Sequence, residues 1–437
     1  MPRSTHTFQA PKGTRDFYPG DLAVRRYVES VWREVSVGYG FDEIDGPTFE
    51  HLDLYTVKSG AQIVSELFSF RRQGGDVDYA LRPEFTPTLA RMYAARAGSL
   101  PKPTKWFSVG PFFRAERPQR GRLREHIQWN LDVIGDETPA ADAEVITAAA
   151  AVLERCGLSP KEVRIKISHR VGLQRSLLAC GAAPDALDAL LVLIDRLDRQ
   201  SDAEFDQFCA ENDIDDASRE AVWKLTKTSP DTAEGRKLFS GIYAETEALR
   251  DLLTSQGVDD WIAVNPAIVR GLAYYTGIVF EIHETGGKER AIAGGGRYDH
   301  LVELFGGPPT PAVGVAMGDV VLRLVLEDRG LLEPSEAYAP RPDAFVISAG
   351  KERAEAELVG LIGRLRRAGL HVRHSYRATR NVGKLLGEAA RARARYAVIL
   401  GTELDAGNAV VKNLDSTEQQ EVPLDKLEEM LRKESDQ

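Results

Sequence analysis

Two segments of alternating polarity, joined by an arginine-rich loop, constrain the fold of this chain more than any other feature. In the segment HIQWNLDVIG at residues 126–135, apolar residues alternate with Gln128, Asn130 and Asp132. The segment WFSVGPFFRAE at 106–116 alternates in the same way. A period of two predicts β-strands whose successive side chains point to opposite faces of a sheet. We therefore expect two antiparallel strands with one polar face.

The loop between these strands is unusually basic. The stretch FFRAERPQRGRLREH at 112–126 holds five arginines and two glutamates in fifteen positions. Period two puts Arg114 and Glu116 on the polar strand face, where a guanidinium offers a planar fork of donors to phosphate or carboxylate. A half-solvated antiparallel sheet with surface ion pairs would show the same pattern. The pattern thus indicates either the floor of a polar cavity or an ordinary solvated face.

The remaining elements predict an α+β fold of more than one domain. Apolar spacing of three and four predicts a helix over 21–37, and strand character returns after a mostly helical region at 170–258. The proline-rich segment 331–340 predicts a linker. Beyond it, strands and helices alternate through 341–437, which indicates a small α/β domain. We expect residues 1–330 to form the larger domain.

The distribution of charge is more informative than its sum. The net charge is −10, yet residues 341–437 carry +2, so the first 340 residues carry about −12. Within 364–395 there are ten basic residues and a single acid, Glu388. A local electropositive patch on an acidic protein suits a phosphate backbone, and a solvated helix face would carry the same charges.

Composition excludes some classes of protein. No apolar run reaches the roughly 18–20 residues that span a bilayer, and the first twenty residues lack the apolar core of a signal peptide. The three cysteines, Cys156, Cys180 and Cys209, are scattered without metal-ligand spacing. We expect a cytoplasmic protein with no membrane contact and no tightly bound protein metal.

Three further motifs carry residues suited to binding. RGLAYYTG contains Arg270, Tyr274 and Tyr275; AGGGRYD contains Gly296, Arg297 and Tyr298; and RPEFT contains Glu84 and Thr86. Glycines inside a strand indicate a bulge or a close approach of a ligand to the backbone. Taken singly, each motif is also compatible with a structural role: strand aromatics, a strand bulge, or a helix cap.

Taken together and in order, these segments resemble the histidyl-tRNA synthetase family of class II aminoacyl-tRNA synthetases. PKGTRDFYP is similar to the family's opening segment, and the helix and strand ending at Pro47 resemble motif 1, which builds the dimer interface. FRAERPQRGRLREHIQ resembles motif 2, while RGLAYYTG and AGGGRYD resemble the two histidine-specific motifs. The resemblance implies an antiparallel catalytic sheet flanked by helices, a helical insertion and a C-terminal anticodon-binding α/β domain.

The resemblance also implies an activity and its residues. ATP, with Mg²⁺, would activate L-histidine as an adenylate, and tRNA(His) would then accept the histidyl group on a homodimeric enzyme. Catalysis would fall to Arg114 and Arg270. Histidine would be bound by Glu84, Thr86, Arg114, Gln128, Asp132, Arg270, Tyr274, Tyr275 and Tyr298; ATP by Arg114, Glu116, Arg122, Gly296 and Arg297; tRNA by Arg117, Gln119, Arg377 and Arg380.

The chain departs from the family pattern at two positions. Asp132 stands where the family commonly has glutamate, which shortens the reach by one methylene. Val321 stands where motif 3 usually has an arginine three residues after the glycine matched by Gly318. Arg323 lies about 200° further around the helix and is a poor substitute, which leaves Arg122 or Arg124 of the motif 2 loop as candidates.

The alternative function is a catalytically silent paralogue that binds histidine or tRNA as a regulator.

Overall fold

The computed structural model describes residues 8–59, 61–197, 200–270, 275–350, 352–377 and 379–433. The helices are α1 Pro19–Gly38, α2 Asp53–Ser59, α3 Thr86–Ala94, α4 Pro139–Arg155, α5 Arg170–Ala179, α6 Leu187–Arg196, α7 Asp202–Glu211, α8 Asp216–Lys227, α9 Ala233–Leu238, α10 Ser240–Glu245, α11 Glu247–Ser255, α12 Leu301–Leu304, α13 Asp319–Asp328, α14 Ser335–Tyr338, α15 Glu352–Arg367, α16 Val382–Arg391 and α17 Leu427–Lys433. None of the helices in these ranges is long and apolar enough to cross a membrane.

The strands in these described ranges form three sheets. They are β1 Asp42–Glu43, β2 Phe49–His51, β3 Ser69–Arg71, β4 Asp78–Leu81, β5 Thr104–Phe113, β6 Glu125–Ile134, β7 Val163–His169, β8 Ile262–Val264, β9 Ile278–Glu284, β10 Ala293–Arg297, β11 Ala312–Gly318, β12 Ala344–Ser348, β13 Val372–His374, β14 Tyr396–Leu400, β15 Asn408–Asn413 and β16 Gln419–Pro423. The chain divides into two compact units, Met1–Ala337 and Tyr338–Gln437.

The first unit is built on an eight-stranded sheet in the order β1-β5-β6-β11-β10-β9-β7-β8. Its central pairings are antiparallel, and only the outer pairs β1 with β5 and β7 with β8 are parallel. The fold class is thus α+β, as the sequence predicted. The two antiparallel strands predicted at 106–116 and 126–135 are confirmed as β5 and β6, with Val109 opposite Trp129.

One face of this sheet is apolar and covered by helices. Trp129 and Leu131 on β6, Met317 on β11 and Phe280 on β9 are fully buried with side chains from α1, α4, α11 and α13. Because side chains alternate, the neighbouring residues of the same strands point to the other face, which is where the polar residues lie. Fixing the apolar face therefore fixes the polar one.

The described residues of 170–258 are mostly helical and have a core of their own. Leu177, Leu190, Val222 and Ile242 are among its fully buried residues. Helix α11, at the end of this region, packs instead against α4, which covers the eight-stranded sheet. Two sequence expectations need correction. The segment FDEIDGPTFE at 41–50, where a strand was expected to end at Pro47, forms two short strands in different sheets, with Pro47 between them. Strand character was expected to return after residue 258, but Arg270 and Tyr275 precede β9 rather than lying on it.

The second unit is a five-stranded sheet in the order β13-β12-β14-β15-β16. The pairings of β12 with β13 and with β14 are parallel, and the remaining pairs are antiparallel. Helices α15 and α17 bury Leu361 and Leu431 against one face, and α16 buries Leu385 against the other. Crossover helices on both faces are what a parallel sheet requires.

Candidate active site

The polar face of the large sheet is a trough between two polar strands. Gln128, Asn130 and Asp132 on β6 are buried, and the register pairs them with Gly318, Ala316 and Gly314 of β11. The next strand, β10, contributes Gly294 and Gly296 to the same rows, and β9 then contributes Glu281 opposite Gly294. Small residues in the two central strands leave room above the sheet, and side chains at its borders can bind a ligand.

Two of these glycines are required by close approach. A Cβ on Gly294 would overlap the guanidinium of Arg270, and a Cβ on Gly314 would overlap the carboxylate of Asp132. The guanidinium of Arg270 therefore lies over Gly294 of β10, while the carboxylate of Asp132 lies over Gly314 of β11. Arg270 also has a φ of 59°, a left-handed conformation that is rare for a residue with a side chain. Such backbone strain is concentrated at functional sites.

Arg270 is held by a chain of polar contacts on β9. Its Nη1 lies 3.3 Å from Oε1 of Glu281, and Nε2 of His283 lies 2.8 Å from the other oxygen of that carboxylate. These contacts lower the pKa of Glu281 against the opposing effect of its burial. The sequence predictions omitted both residues, although the alternation in IVFEIHE at 278–284 would have placed them on the face of the sheet that carries the site.

Arg114 lies at the other border of a cavity of about 210 Å³. It follows β5 by one residue and still continues the ladder, because its backbone N–H donates to the carbonyl of Arg124 at 2.9 Å. Burial lowers the pKa of its guanidinium, the charges of Arg122 and Arg270 act in the same direction, and those of Glu116 and Glu84 oppose them. Three arginines and two carboxylates are therefore close enough to interact.

The cavity has cationic borders and a neutral interior. Its lining residues are Arg114, Gly121, Arg122, Leu123, His126, Gln128, Arg270, Ala291, Ile292, Ala293, Gly294, Ala316, Gly318, Val320 and Val321. Burial, reinforced by the charge of Arg114, lowers the pKa of His126 to about 3, so its imidazole is neutral at pH 7. Three guanidiniums around a cavity of this size suit an anionic ligand such as phosphate.

One row of the sheet away from the cavity lies a buried acid. Tyr298 donates a hydrogen bond of 2.5 Å from its hydroxyl to Oδ1 of Asp132. Burial raises the pKa of Asp132 to about 7, although the hydrogen bond from Tyr298 acts in the opposite direction. Tyr275 is also buried, and its ring lies 5.8 Å from the guanidinium carbon of Arg270. A buried carboxyl group held in this way can recognise a ligand with a polar ring by forming a hydrogen bond to it.

The loop between β5 and β6 closes against the start of α13. Arg122 forms an ion pair with Glu116, and Arg120 lies 2.6 Å from Glu289. A Cβ on Gly121 would lie 3.3 Å from Val321, so the loop backbone packs directly on the valine. Of the loop arginines, Arg122 joins Arg114 in the lining of the cavity.

Several predicted residues lie elsewhere. Arg297 leaves β10 on the helix-covered face, where it lies 3.0 Å from Asp142 and donates to two backbone carbonyls, so the prediction that it contacts ATP has no support in its position. Arg117 and Gln119 are exposed on the loop, and Arg290 donates to Gln119 at 2.6 Å. Arg323 pairs with Glu327 and Asp21.

The other predicted residues border the site or belong to the second unit. Glu84 and Thr86 are half-buried around the start of α3, and Gly296 lies beneath Tyr275. Arg377 and Arg380 are exposed between β13 and α16. Tyr274 is outside the described residues. Among those that are described, no group of three or more His, Cys, Asp or Glu side chains could hold a metal ion.

A contact that the sequence did not indicate fixes α13 beneath the cavity. Asp319 begins the helix, accepts a hydrogen bond of 2.9 Å from the backbone N–H of Ile127 and lies 2.7 Å from Arg15. Burial raises the pKa of Asp319. Asp319 therefore joins the N-terminal segment to β6, and no local sequence signal at Arg15 would predict this partner.

Comparisons with known proteins agree on one family. Residues 13–319 match the model of the histidyl-tRNA synthetase family, and residues 343–434 match the anticodon binding domain. The chain is 36% identical over 436 residues to a histidine–tRNA ligase of Opitutus terrae, covering 98% of both chains. It is 39% identical over 427 residues to that of Halobacterium salinarum, covering 94% of this chain and 95% of the relative. A histidyl-tRNA synthetase structure from Nostoc sp. PCC 7120 matches the fold with a TM-score of 0.76 at 23% identity, covering 98% of this chain and all of the other.

Proposed function

Because the chain belongs to the histidyl-tRNA synthetase family, we propose that it ligates L-histidine to tRNA(His) through a histidyl-adenylate. The single observation that carries this proposal is the convergence of Arg114 and Arg270 on one cavity, with the buried pair Asp132 and Tyr298 one row away. The reaction consumes ATP and releases AMP and pyrophosphate. With this activity, the chain is a class II aminoacyl-tRNA synthetase.

In the first step, a carboxylate oxygen of histidine attacks the α-phosphorus of ATP, and the bond to pyrophosphate breaks. Negative charge on the phosphoryl oxygens must be stabilised in the transition state by cations already in position. Arg114 and Arg270 supply them from opposite borders of the cavity, and Glu281 holds Arg270 in place. Mg²⁺ enters with the phosphates of ATP as part of the substrate.

The amino acid lies across the trough with its ring toward Asp132. The imidazole N–H donates to the carboxylate of Asp132, which Tyr298 holds by its hydroxyl. Glu84 and Thr86 face the ammonium group, and Gln128 and Tyr275 complete the pocket. A ring without nitrogen would leave the buried acid and hydroxyl without a ligand partner, which is the basis of discrimination by polar readout.

Arg122 is the loop arginine that we assign to the terminal phosphates of ATP. It lines the cavity beside Val321, and its ion pair with Glu116 keeps its guanidinium at the border of the site. Gly296 supports the pocket from below through Tyr275. The exposed Arg117 and Gln119 extend the loop toward the acceptor end of tRNA.

In the second step, a hydroxyl of the 3′-terminal ribose of tRNA attacks the histidyl carbonyl, and AMP leaves. The second unit binds the anticodon, in agreement with the family of its domain. Arg377 and Arg380 contact phosphate there. We assign the catalytic domain to residues 1–330, with its helical insertion at 170–258, and join it to the anticodon domain by the linker 331–340.

The enzyme acts as a homodimer in the cytoplasm. An aromatic cluster on the small sheet supports the dimer: Phe49 and Phe70 are 49% and 44% exposed, and their ring centroids lie 5.7 and 5.8 Å from that of Tyr79. Contiguous exposed apolar groups favour a protein interface. Replacing Phe49 and Phe70 by aspartate should yield monomers in sedimentation, and dimers of unchanged affinity would place the interface elsewhere.

The free thiols of Cys156, Cys180 and Cys209 fit a reducing compartment.

Histidine-dependent exchange of pyrophosphate into ATP tests the ligase directly. Purified protein with Mg²⁺ should catalyse exchange with histidine and not with phenylalanine. A regulator that binds histidine or tRNA without chemistry would show binding and no exchange, and that result would replace the ligase by the regulatory function. The ligase is favoured here because relatives more than 35% identical over nearly the whole chain are named histidine–tRNA ligases.

A further inference from the structure

The loop that follows β13 presents an aromatic ring to solvent. Tyr376 is 89% exposed, and one side of its ring lies against His374, with the two ring centroids 4.4 Å apart. Tyr376 and His374 thus form a tilted aromatic pair, with 51° between the ring planes, and the outer face of the Tyr376 ring is open. Base stacking on an exposed aromatic ring is the usual way in which proteins bind unpaired nucleotides.

Hydrogen bonds hold the described residues at both ends of this loop. Ser375 donates from its hydroxyl to Glu388 at 2.9 Å and accepts from the backbone N–H of Arg377 at 3.1 Å. Asn381 then caps α16 by accepting from the backbone N–H of Lys384. The ring of Tyr376 is therefore carried by a loop whose flanks are fixed, which reduces the entropy lost when a ligand binds.

The surroundings of the ring are cationic. Residues 371–387 contain four basic side chains and no acid, and the nearest acid in sequence, Glu388, is engaged by Ser375. Arg377 and Arg380 are exposed, and neither forms an ion pair within the described parts of the chain. A stacking surface flanked by such guanidiniums is complementary to a base with its phosphates.

The position in the sheet also favours a ligand. Loops leaving the parallel strands β12 and β13 lead to α15 and α16, which cover opposite faces of the sheet. The two loops meet, because a Cβ on Gly350 would lie 2.5 Å from the side chain of Arg380. Open α/β sheets commonly bind ligands at the carboxyl ends of their strands.

We propose that Tyr376, supported by His374, stacks on one unpaired base of the anticodon loop of tRNA, with Arg377 and Arg380 on the flanking phosphates. This inference rests on the proposed function, because it takes tRNA as the ligand of the second unit. It adds a base-contacting residue to a domain whose charges alone would bind any phosphate backbone. Tyr376 acts on tRNA binding and has no part in forming the adenylate.

The first experiment measures the affinity of the full-length enzyme for a tRNA(His) transcript at several salt concentrations. Loss of one stacked base weakens binding by about 5- to 160-fold, so Tyr376→Ala should raise Kd by a factor in that range. Because no charge is removed, the slope of log K against log salt should stay unchanged. Tyr376→Phe keeps the ring and should bind within about twofold of the parent, as should Val359→Ala, an exposed apolar control on α15.

The second experiment identifies the base. Transcripts with a single abasic nucleotide at each position of the anticodon loop should include one whose affinity no longer falls on Tyr376→Ala. An unchanged Kd for Tyr376→Ala, equal losses for Tyr376→Ala and Tyr376→Phe, or additive losses at every abasic position would overturn the stacking. Histidine-dependent pyrophosphate exchange needs no tRNA and should be normal in all variants. Its absence in the parent enzyme would instead refute the ligase.

Discussion

The two units place their candidate ligand sites on different parts of a sheet. In the first, the candidate site lies on the face of an antiparallel sheet, where Asp132 is only 3% exposed. In the second, the basic loop with Tyr376 lies at the carboxyl edge of parallel strands. Antiparallel strands connect at their ends, which leaves one face open, whereas parallel strands need crossover helices that cover both faces. Connectivity thus decides whether strand residues or loop residues can meet a ligand.

This difference has an electrostatic consequence. On the sheet face, burial changes the ionisation of the groups themselves: the pKa of Asp132 rises to about 7 and that of His126 falls to about 3. At the edge, salt screens the exposed guanidiniums, so tRNA affinity should depend on their summed charge rather than on any single one of them. Substitutions on the face should therefore alter chemistry sharply, and substitutions at the edge should alter tRNA affinity moderately.

Removing Arg270 should have the largest effect. Loss of one preorganised donor to a developing oxyanion costs about 10²- to 10³-fold in rate, so Arg270→Ala should reduce pyrophosphate exchange by at least that factor. Sedimentation and Tm should stay close to those of the parent. Arg323→Ala is the matched control, because Arg323 pairs with Glu327 and Asp21 away from the cavity. Normal exchange in Arg270→Ala would refute its role.

Adding a methyl group beneath that arginine should act through position alone. A Cβ on Gly294 overlaps the Arg270 guanidinium, so Gly294→Ala should displace it and reduce exchange by about 10- to 100-fold while every charge remains. Gly38→Ala, where a Cβ meets open space at the end of α1, should leave exchange unchanged. Equal activity of the two variants would show that the placement of Arg270 over β10 is not needed.

The pH dependence of histidine use should report Asp132. Its pKa is raised to about 7, so the carboxyl is mostly protonated below that pH and mostly ionised above it. The imidazole N–H needs the ionised acceptor, so kcat/KM for histidine should fall below pH 7, approaching tenfold per unit. Asp132→Asn lacks this ionisation. Titration of the substrate ring is common to both enzymes, and identical profiles for the two would contradict the assignment.

At the edge, the effect should be smaller and dependent on salt. Arg377→Ala combined with Arg380→Ala removes two phosphate contacts, which should reduce the slope of log K against log salt by about 1.4 to 1.8 and weaken tRNA binding several-fold at low salt. Exchange without tRNA should persist. A matched pair on helix α15 of the same unit, Arg353→Ala with Arg364→Ala, removes exposed arginines that are already paired with Asp405 and Glu357. If that pair lowers the slope equally, the contribution of the loop is not specific.

Local sequence patterns predicted the strands of the site better than they predicted which residues contact one another there. The alternation in HIQWNLDVIG predicted both β6 and its polar face, because side-chain direction along a strand follows from backbone geometry alone. The same rule failed for RGLAYYTG, since Arg270 has a left-handed φ and β9 begins only at Ile278. It also gave no warning that Arg297 points to Asp142 on the helix-covered face.

Arg122 and Val321 are a case that the sequence predicted only in part. The sequence showed that motif 3 has valine where its family pattern has arginine, and that the preceding loop holds several arginines. It could not rank them, because a loop has no periodicity from which direction follows. The fold brings Gly121 onto Val321 and turns Arg122 to the cavity, while Arg120 turns to Glu289.

The sequence by itself determined the periodicities, the charge of each unit and the motifs that identify the family. Those features depend on residues close together along the chain. Only the tertiary structure decided that β6 lies beside β11, that Arg270 crosses Gly294 and that Asp319 joins Arg15 to β6. Such contacts join residues far apart in the chain, and they form only when strand register and helix packing are fixed together by burial of the common core.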